Sequence, residues 1–410
     1  MSKIIIINHY GITPEFPGAT KHYEISKYFS EYSDYDIEFW ICGFNHHTGK
    51  NHDNLKGFKL QSKEKTENFH TVRIKSTPYR KSALARQINI TVFDIITAIK
   101  ILFSKDVELV LLSSPPVGIF NTWAIKLKHI KLLADIEDLW PMFLIDMGLK
   151  NKFAIKYMDY SMNELYKLAD QIIAVSDGMV NFVKSKVSQK DKVTLVPLGV
   201  NLNKYENKEK KIELIKGNPW EDKLKIMYIG AHGRANDLGS VINTIERFNK
   251  LQDNYDEFAF VFIGDGDQKK QLINQTLQKH LSNVFFEDAI PSELVADYLL
   301  HADICLTNLK NIESFKLVRP NKLFQYMALS KPIICGIDGE ARQIVEEANA
   351  GSYINFDGSV EAATRLADIL NDSIKFEQLG ENGNEYVHKY GDRAKIFKNL
   401  LDLVTNMIKE

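Results

Sequence analysis

The stretch Ile304-Cys305-Leu306-Thr307-Asn308-Leu309 is followed, ten residues later, by Pro320-Asn321-Lys322-Leu323-Phe324-Gln325-Tyr326-Met327-Ala328 and then by Pro332-Ile333-Ile334-Cys335. It reads as strand, helix, strand. Short apolar runs bounded by turn residues suit strands buried on both faces. Pro320 and Asn321 mark a helix start, because proline lacks an N–H that the first turn leaves unpaired and asparagine favours the cap. A strand–helix–strand unit of this length is a parallel crossover.

Outward from it the same alternation recurs. Ile226–Ile229, Phe258–Ile263, Val284–Phe286 and Ser352–Ile354 read as strands, with helices at Leu238–Leu251 and Ser292–His301. Ile4–Ile7, Ile37–Ile41, Val107–Ser113, Lys131–Ile136 and Ile172–Val175 form an earlier series, with a helical run at Lys21–Tyr32. Strands alternating with helices imply an α/β protein of two tandem Rossmann-like, doubly wound parallel-sheet domains. The expected organisation is one domain over residues 1–200, a charged linker over 201–223, a second domain over 224–390, and an amphipathic helix over 391–410 packing back on the first domain.

Composition narrows the function. At 410 residues, 44% hydrophobic and 26% charged, the chain has the profile of a well-cored globular protein. The net charge of −1 hides +5 over residues 1–200 and −6 over the rest. That lacks the dense basic footprint of a nucleic-acid binder, so no nucleic-acid partner is expected. Cys42, Cys305 and Cys335 are odd in number and show no CxxC spacing, which argues against a disulfide framework or structural zinc. Ile4–Ile7 is too short for a signal peptide, and Ile88–Phe103 is broken by Asp94 and Lys100. A cytoplasmic location is expected, with contact at the inner face of the membrane at most.

In open parallel sheets, ligands bind beyond the carboxyl ends of the strands. There, Arg319 and Lys322 bracket the start of the helix at Pro320-Asn321. A helix N-terminus with a forked cation and a point-charge cation is a ready diphosphate site, while two solvated surface cations are the bland alternative. Gly230-Ala231-His232-Gly233 after one strand and Gly264-Asp265-Gly266 after the next could bring backbone N–H groups to a phosphate or be ordinary turns. Pro17-Gly18-Ala19-Thr20 precedes a helix holding His22. Asp135, Glu137 and Asp138 crowd the end of a strand, where Asp138 either orients a hydroxyl or caps a helix. His46, His47 and His52 lack matching ligand spacing and read as loop residues rather than a metal site.

The block Pro320–Ile334 resembles the signature of nucleotide-sugar-dependent, retaining glycosyltransferases of family 4, of the capsule and O-antigen type, which have the GT-B fold. Gly264–Asp267, Ile290-Pro291-Ser292-Glu293, Gly339-Glu340, Val175–Met179, Val196–Val200, Asp138-Leu139-Trp140-Pro141 and the loop at Pro17 are similar to the same family, in the same order. The resemblance implies two domains facing a cleft. It implies a UDP-linked donor sugar, an N-acetylhexosamine, on the C-terminal domain, and a glycan or polyprenyl-diphosphate-linked acceptor on the N-terminal one. It also implies Lys322, Arg319 and Asp138 as catalytic residues. Donor contacts would come from Gly230, His232, Gly233, Arg234, Asp265, Gly266, Ile290, Glu313, Asn321 and Gln325, and acceptor-side contacts from Gly18, Ala19, Thr20 and His22. No cofactor and no metal are expected.

Two departures stand out. Gln325 occupies the place of the family's ribose-binding glutamate, and Glu313 is displaced from the position of its partner. The family's Arg and Lys after the first C-terminal-domain strand are also missing, leaving Arg234 as a substitute or the phosphate load on Arg319 and Lys322. A nucleotide-sugar 2-epimerase and a non-catalytic binding relative share the fold and remain alternatives. A Rossmann dehydrogenase does not fit, since no GxGxxG follows Ile4–Ile7. Finally, Arg73, Lys75, Arg80, Lys81, Arg86, Lys100 and Lys105 oppose only Asp94 over residues 73–105. This reads either as a peripheral membrane contact or as the solvated face of a core helix.

Overall fold

Ile4–Ile7, each at most 1% exposed, run through the middle of the first sheet. In this computed structural model, which describes residues 2–16, 20–45, 50–51, 55, 59–79, 82–116, 118–206 and 208–410, the early strands are β1 (Lys3–Asn8), β2 (Asp36–Cys42), the short β3 (Phe44–Asn45) and β4 (Lys50–Asn51), β5 (Gln61–Thr66), β6 (Phe69–Ile74), β7 (Val107–Ser114), β8 (Lys131–Ile136), β9 (Gln171–Ala174) and β10 (Val193–Leu195). They order as β10-β9-β8-β7-β1-β2-β6-β5, with β3 and β4 pairing separately. All neighbours in the large sheet are parallel except the edge strand β5 against β6.

The second sheet holds β11 (Leu224–Ile229), β12 (Phe258–Ile263), β13 (Val284–Glu287), β14 (Ile304–Asn308), β15 (Ile333–Gly336) and β16 (Gly351–Tyr353), ordered β13-β12-β11-β14-β15-β16 and parallel throughout. In each sheet the strand order reverses at the first strand, β1 or β11. Connections leave on opposite faces there and open a crevice at the carboxyl ends. The fold is therefore the expected pair of Rossmann-like domains.

The chain divides into Met1–Pro197 with Lys395–Glu410, and Leu198–Ala394. The expected linker over 201–223 is instead part of the second unit. Leu202, Ile215 and the fully buried Trp220 lie in its core with Met227, Ile263 and Leu299. This segment folds as isolated single turns, Leu202–Lys204 and Ile212–Leu214, too short for any period to show. The helix Arg393–Lys409 repeats apolar residues at Ile396, Phe397, Leu400, Leu401, Val404 and Met407, which join Ile4, Ile6, Phe29 and Phe39 in the first unit's core. The β5–β6 hairpin was not expected, because β5 is a polar edge strand, Gln61-Ser62-Lys63-Glu64-Lys65-Thr66. Among the described residues no helix is long and apolar enough to cross a membrane.

Candidate functional site

In the second unit Ile229 pairs with Ile263 and Ile263 with Glu287, so the loops after β11, β12 and β13 emerge level. Gly230 and Gly264 have φ of +155° and +150°. A Cβ on Gly264 would come within 1.9 Å of the Gly230 carbonyl oxygen, and one on Gly230 within 2.6 Å of Lys322 Nζ. The glycines thus let two loops touch and let a lysine rest against bare backbone. The amide of Gly230 donates to Ile263 O and that of His232 to Asp265 O, at 2.9 and 2.8 Å. Those two donors are spent between loops and do not form the expected phosphate cradle.

Lys322 sits in the first turn of the helix Asn321–Ala328, whose N-cap is Pro320 rather than Asn321 and makes no side-chain cap. Its ammonium lies 3.8 Å above the centroid of Tyr228. Among the described residues no carboxylate comes within ion-pair distance of it. Burial without a counter-ion pulls its pKa down to about 7. Gln325 lies one turn along, on the same helix face and partly buried. A helix N-terminus plus an uncompensated cation makes an anion site.

The other expected donor residues are placed differently. Arg319 donates from Nε to Glu340 Oε2 at 2.6 Å, so its charge is already compensated. Glu313 is 85% exposed and pairs with Lys316 Nζ at 2.6 Å. His232 is fully buried, packed edge-on to Phe286, with neither ring nitrogen hydrogen-bonded among the described residues. Burial, then the nearby Lys269 and Lys322, depress its pKa to about 4, so the imidazole is neutral at pH 7. Arg234 is exposed and 3.4 Å from Asp267, Asp265 is exposed, and Gly233 caps the turn holding Arg234. Asp265 Oδ1 accepts from the Gly266 amide at 2.7 Å. Ile290 packs on the core's edge. Asn321 Oδ1 accepts from Arg393 Nη2 at 3.1 Å.

In the first unit the three carboxylates at the end of β8 fare differently: Asp135 and Glu137 meet Lys21, whereas among the described residues Asp138 meets only the charge of Glu137. Lys21 Nζ lies 2.6 Å from Asp135 Oδ2 and 3.4 Å from Glu137 Oε1, and His22 Nε2 lies 3.0 Å from Asp135 Oδ2. Burial opposes the Asp135 charge, yet these cationic and hydrogen-bonding partners hold its pKa low. His22 Nδ1 meets Asn8 Nδ2 at 2.9 Å. Asp138 has no such partner among the described residues. Burial, with the Glu137 charge added, pushes its carboxyl up to about 7. That is the range in which a carboxylate exchanges a proton at neutral pH.

His22, Asp135 and Glu137 also present ligand atoms within 4.8 Å of one another, a metal-like set into which Lys21 already places an ammonium. Thr20 donates its hydroxyl to Glu24 Oε1 at 2.9 Å instead of capping its helix. Gly18 and Ala19, like Pro17, His46, His47, His52, Arg80 and Lys81, lie outside the described residues. The sequence reading gave no site role to Lys21, Asn8 or Glu340, the last of which it named only within a family block. Only the Lys21-His22 pair at a helix start offered a signal, and its partner is 113 residues away.

The basic segment 73–105 is not one cationic face. Arg73 is buried in β6 and pairs with Glu64 at 2.6 Å, and Lys100 covers the Trp40 ring at 4.7 Å. Asp94 is buried, accepting from the amides of Phe120 and Asn121 at 3.0 and 2.9 Å. Beyond Arg86 in its first turn, the helix Ala83–Phe103 exposes a row of apolar side chains. Ile95, Ile99 and Leu102 line a groove of about 620 Å³ with Phe120, Trp123 and Leu127 of the helix Ile119–Leu127.

Comparison with known proteins agrees with this architecture. Residues 54–204 match the family described as Glycosyltransferase Family 4, and residues 208–386 match Glycosyl transferases group 1. An uncharacterized glycosyltransferase of Methanocaldococcus jannaschii, MJ1069, is 22% identical over 98% of this chain and 99% of its own length. Sucrose-phosphate synthase from Thermosynechococcus elongatus superposes with a TM-score of 0.75 at 16% identity, each chain covered completely. Anabaena HepE in complex with UDP does so with 0.72 at 12% identity, over 98% of this chain and 100% of that one.

Proposed function

We propose that this chain, a GT-B glycosyltransferase of the family 4 type, moves a sugar with retention of configuration from a nucleotide diphosphate sugar to a glycan or polyprenyl-diphosphate-linked acceptor. The setting proposed is cell-surface polysaccharide synthesis at the cytoplasmic face of the membrane. The observation that carries it is Lys322, an uncompensated ammonium at the head of a helix beside two glycines at the carboxyl end of a parallel sheet. The donor is proposed as a UDP sugar, an N-acetylhexosamine. The nucleotide choice is supported by HepE, of the same fold, which was solved with UDP and UDP-glucose.

In the proposed step the bond from the sugar's anomeric carbon to the diphosphate oxygen breaks. The acceptor oxygen bonds that carbon on the same face, and the acceptor proton passes to a leaving phosphate oxygen. Lys322 and the helix terminus offset the charge developing on the diphosphate, without need of a divalent metal ion. Arg319 acts behind them, through its pair with Glu340. Asp138, kept out of reach of Lys21, accepts a hydrogen bond from the acceptor hydroxyl.

A thermal-shift panel of UDP, GDP, ADP, dTDP and their sugars tests the donor site. One nucleotide series is expected to stabilise the wild type, by about 2.7 kcal/mol at 100 times its dissociation constant, and not Lys322→Ala. No shift from any of them would sink the assignment and leave the non-catalytic reading.

The membrane contact is proposed on the apolar groove rather than on a basic helix face. Phe103 and Leu127 are 81% and 72% exposed at its end, with Lys105 and Lys128 exposed just beyond. Exposed apolar side chains flanked by lysines suit an anionic interface. The double variant Phe103→Ser, Leu127→Ser is expected to lose at least about tenfold in partitioning to vesicles containing phosphatidylglycerol, given roughly 0.8 kcal/mol per buried CH₂. Unchanged co-sedimentation would remove this face from the proposal.

A further inference from the structure

We infer that Arg86, Tyr10 and Trp140 form a subsite for a phosphate-bearing sugar at the carboxyl ends of β1 and β8. The inference rests on the glycosyltransferase reading and deepens it, because it gives the acceptor its own anionic anchor in the first unit.

Arg86 stands in the first turn of the helix Ala83–Phe103, which has no acidic residue there. A cation at the positive end of a helix is unfavourable unless an anion joins it. Arg86 is exposed, and among the described residues no carboxylate lies within ion-pair distance of it. Its Nε donates to Tyr10 Oη at 2.8 Å. That bond fixes the guanidinium plane, and among the described residues the four N–H donors of the two Nη atoms make no hydrogen bond and are left for a ligand. The same guanidinium lies 5.3 Å from the Tyr10 ring centroid and 5.8 Å from that of Trp140.

The platform is braced from behind. Tyr10 donates its amide to Asn8 Oδ1 at 2.8 Å, and Asn8 holds His22, which in turn meets Asp135. His9 is buried against Tyr10 and Phe93 and bonds Asn89 Oδ1 at 2.7 Å. Trp140 follows Asp138 by two residues on the loop that leaves β8. A rigid fork matches two oxygens of a phosphate, and the helix terminus adds to its field. Two aromatic rings beside it offer apolar faces to the C–H face of a sugar. Phosphate and sugar ring together are the chemistry of a sugar phosphate or of a sugar on a prenyl diphosphate.

The test uses the full chain carrying Lys322→Ala, so that diphosphate binding at the donor site is weakened, and compares it with the same chain also carrying each subsite variant. Titration calorimetry would compare inorganic diphosphate, N-acetylglucosamine 1-phosphate and farnesyl diphosphate, and co-sedimentation would follow phosphatidylglycerol vesicles. Arg86→Met is expected to weaken all three soluble probes at least about tenfold, the scale of one charge-assisted fork. Arg86→Lys should lose less, and Trp140→Ala should affect the sugar phosphate more than inorganic diphosphate. Equal affinities in Arg86→Met would overturn the subsite. Loss of vesicle binding alone would also overturn it, assigning Arg86 to the lipid surface. Failure of the donor reading is separate, since it appears as no nucleotide shift in the wild-type chain.

Discussion

Lys322→Ala is expected to lower turnover at least about 100-fold, the size of effect seen when one strong stabiliser of developing charge is removed. The pH dependence makes the test specific. Burial brings the Lys322 pKa to about 7 in the free protein, so above neutrality much of the chain carries no charge there. A diphosphate restores the charged form, and binding takes up a proton. Donor affinity should therefore fall with rising pH above 7, towards tenfold per unit, until the pKa of the bound state is reached. Lys322→Arg stays charged throughout and should flatten that profile, whatever it does to geometry. Calorimetry in buffers of different ionisation enthalpy reads the proton directly. Near-normal turnover in the alanine variant, with pH-independent donor affinity, would take Lys322 out of the mechanism.

Asp138→Asn should make the protein more stable at pH 8 and less active. The Asp138 pKa is raised from 3.8 to about 7 by burial and by Glu137. Between those values the folded chain holds a proton that the unfolded chain releases. Stability therefore falls as pH rises through this window and stays lower above it. At about 1.36 kcal/mol per pKa unit, the amide should recover on the order of 2–4 kcal/mol at pH 8. That is roughly 4–16 °C in the melting of a unit of this size. At pH 4 the two proteins should melt together. Because Asp138 is proposed to orient the acceptor hydroxyl and not to take its proton, turnover in the same variant is expected to drop by about 10–100-fold, the scale of one hydrogen bond to a charged group. A variant no more stable at pH 8 than at pH 4, relative to wild type, would mean that the carboxyl is not held in its proton-bearing state.

How legible this molecule was depended on whether a feature is local. Continuous apolar runs such as Ile4–Ile7 and Phe258–Ile263 announced themselves as buried parallel strands, because a strand covered on both faces has nothing polar to alternate with. The polar β5 and the single turns around Trp220 carried no such period. At the site, Lys322 could be picked out from the helix start it occupies. Its partners could not: Arg319 is neutralised by Glu340, 21 residues away, and Asp135 by Lys21 and His22, more than 110 residues away. Residue type and spacing nominate cations and carboxylates. Which of them stays uncompensated, and so keeps its chemistry, is decided by folding.

The helix Arg393–Lys409 bears on the order in which the two units can close. Its apolar face supplies Ile396, Phe397, Leu400, Leu401, Val404 and Met407 to the core around Ile4 and Ile6. The first unit joins residues up to Pro197 to residues from Lys395 onward, with the whole second unit between them in sequence. The second unit, Leu198–Ala394, is whole before that later segment is made. During translation the earlier half must wait, with part of its core open, while the later half can close first. Loss of the last fifteen or so residues would therefore injure the unit made first rather than the one to which they are adjacent in sequence.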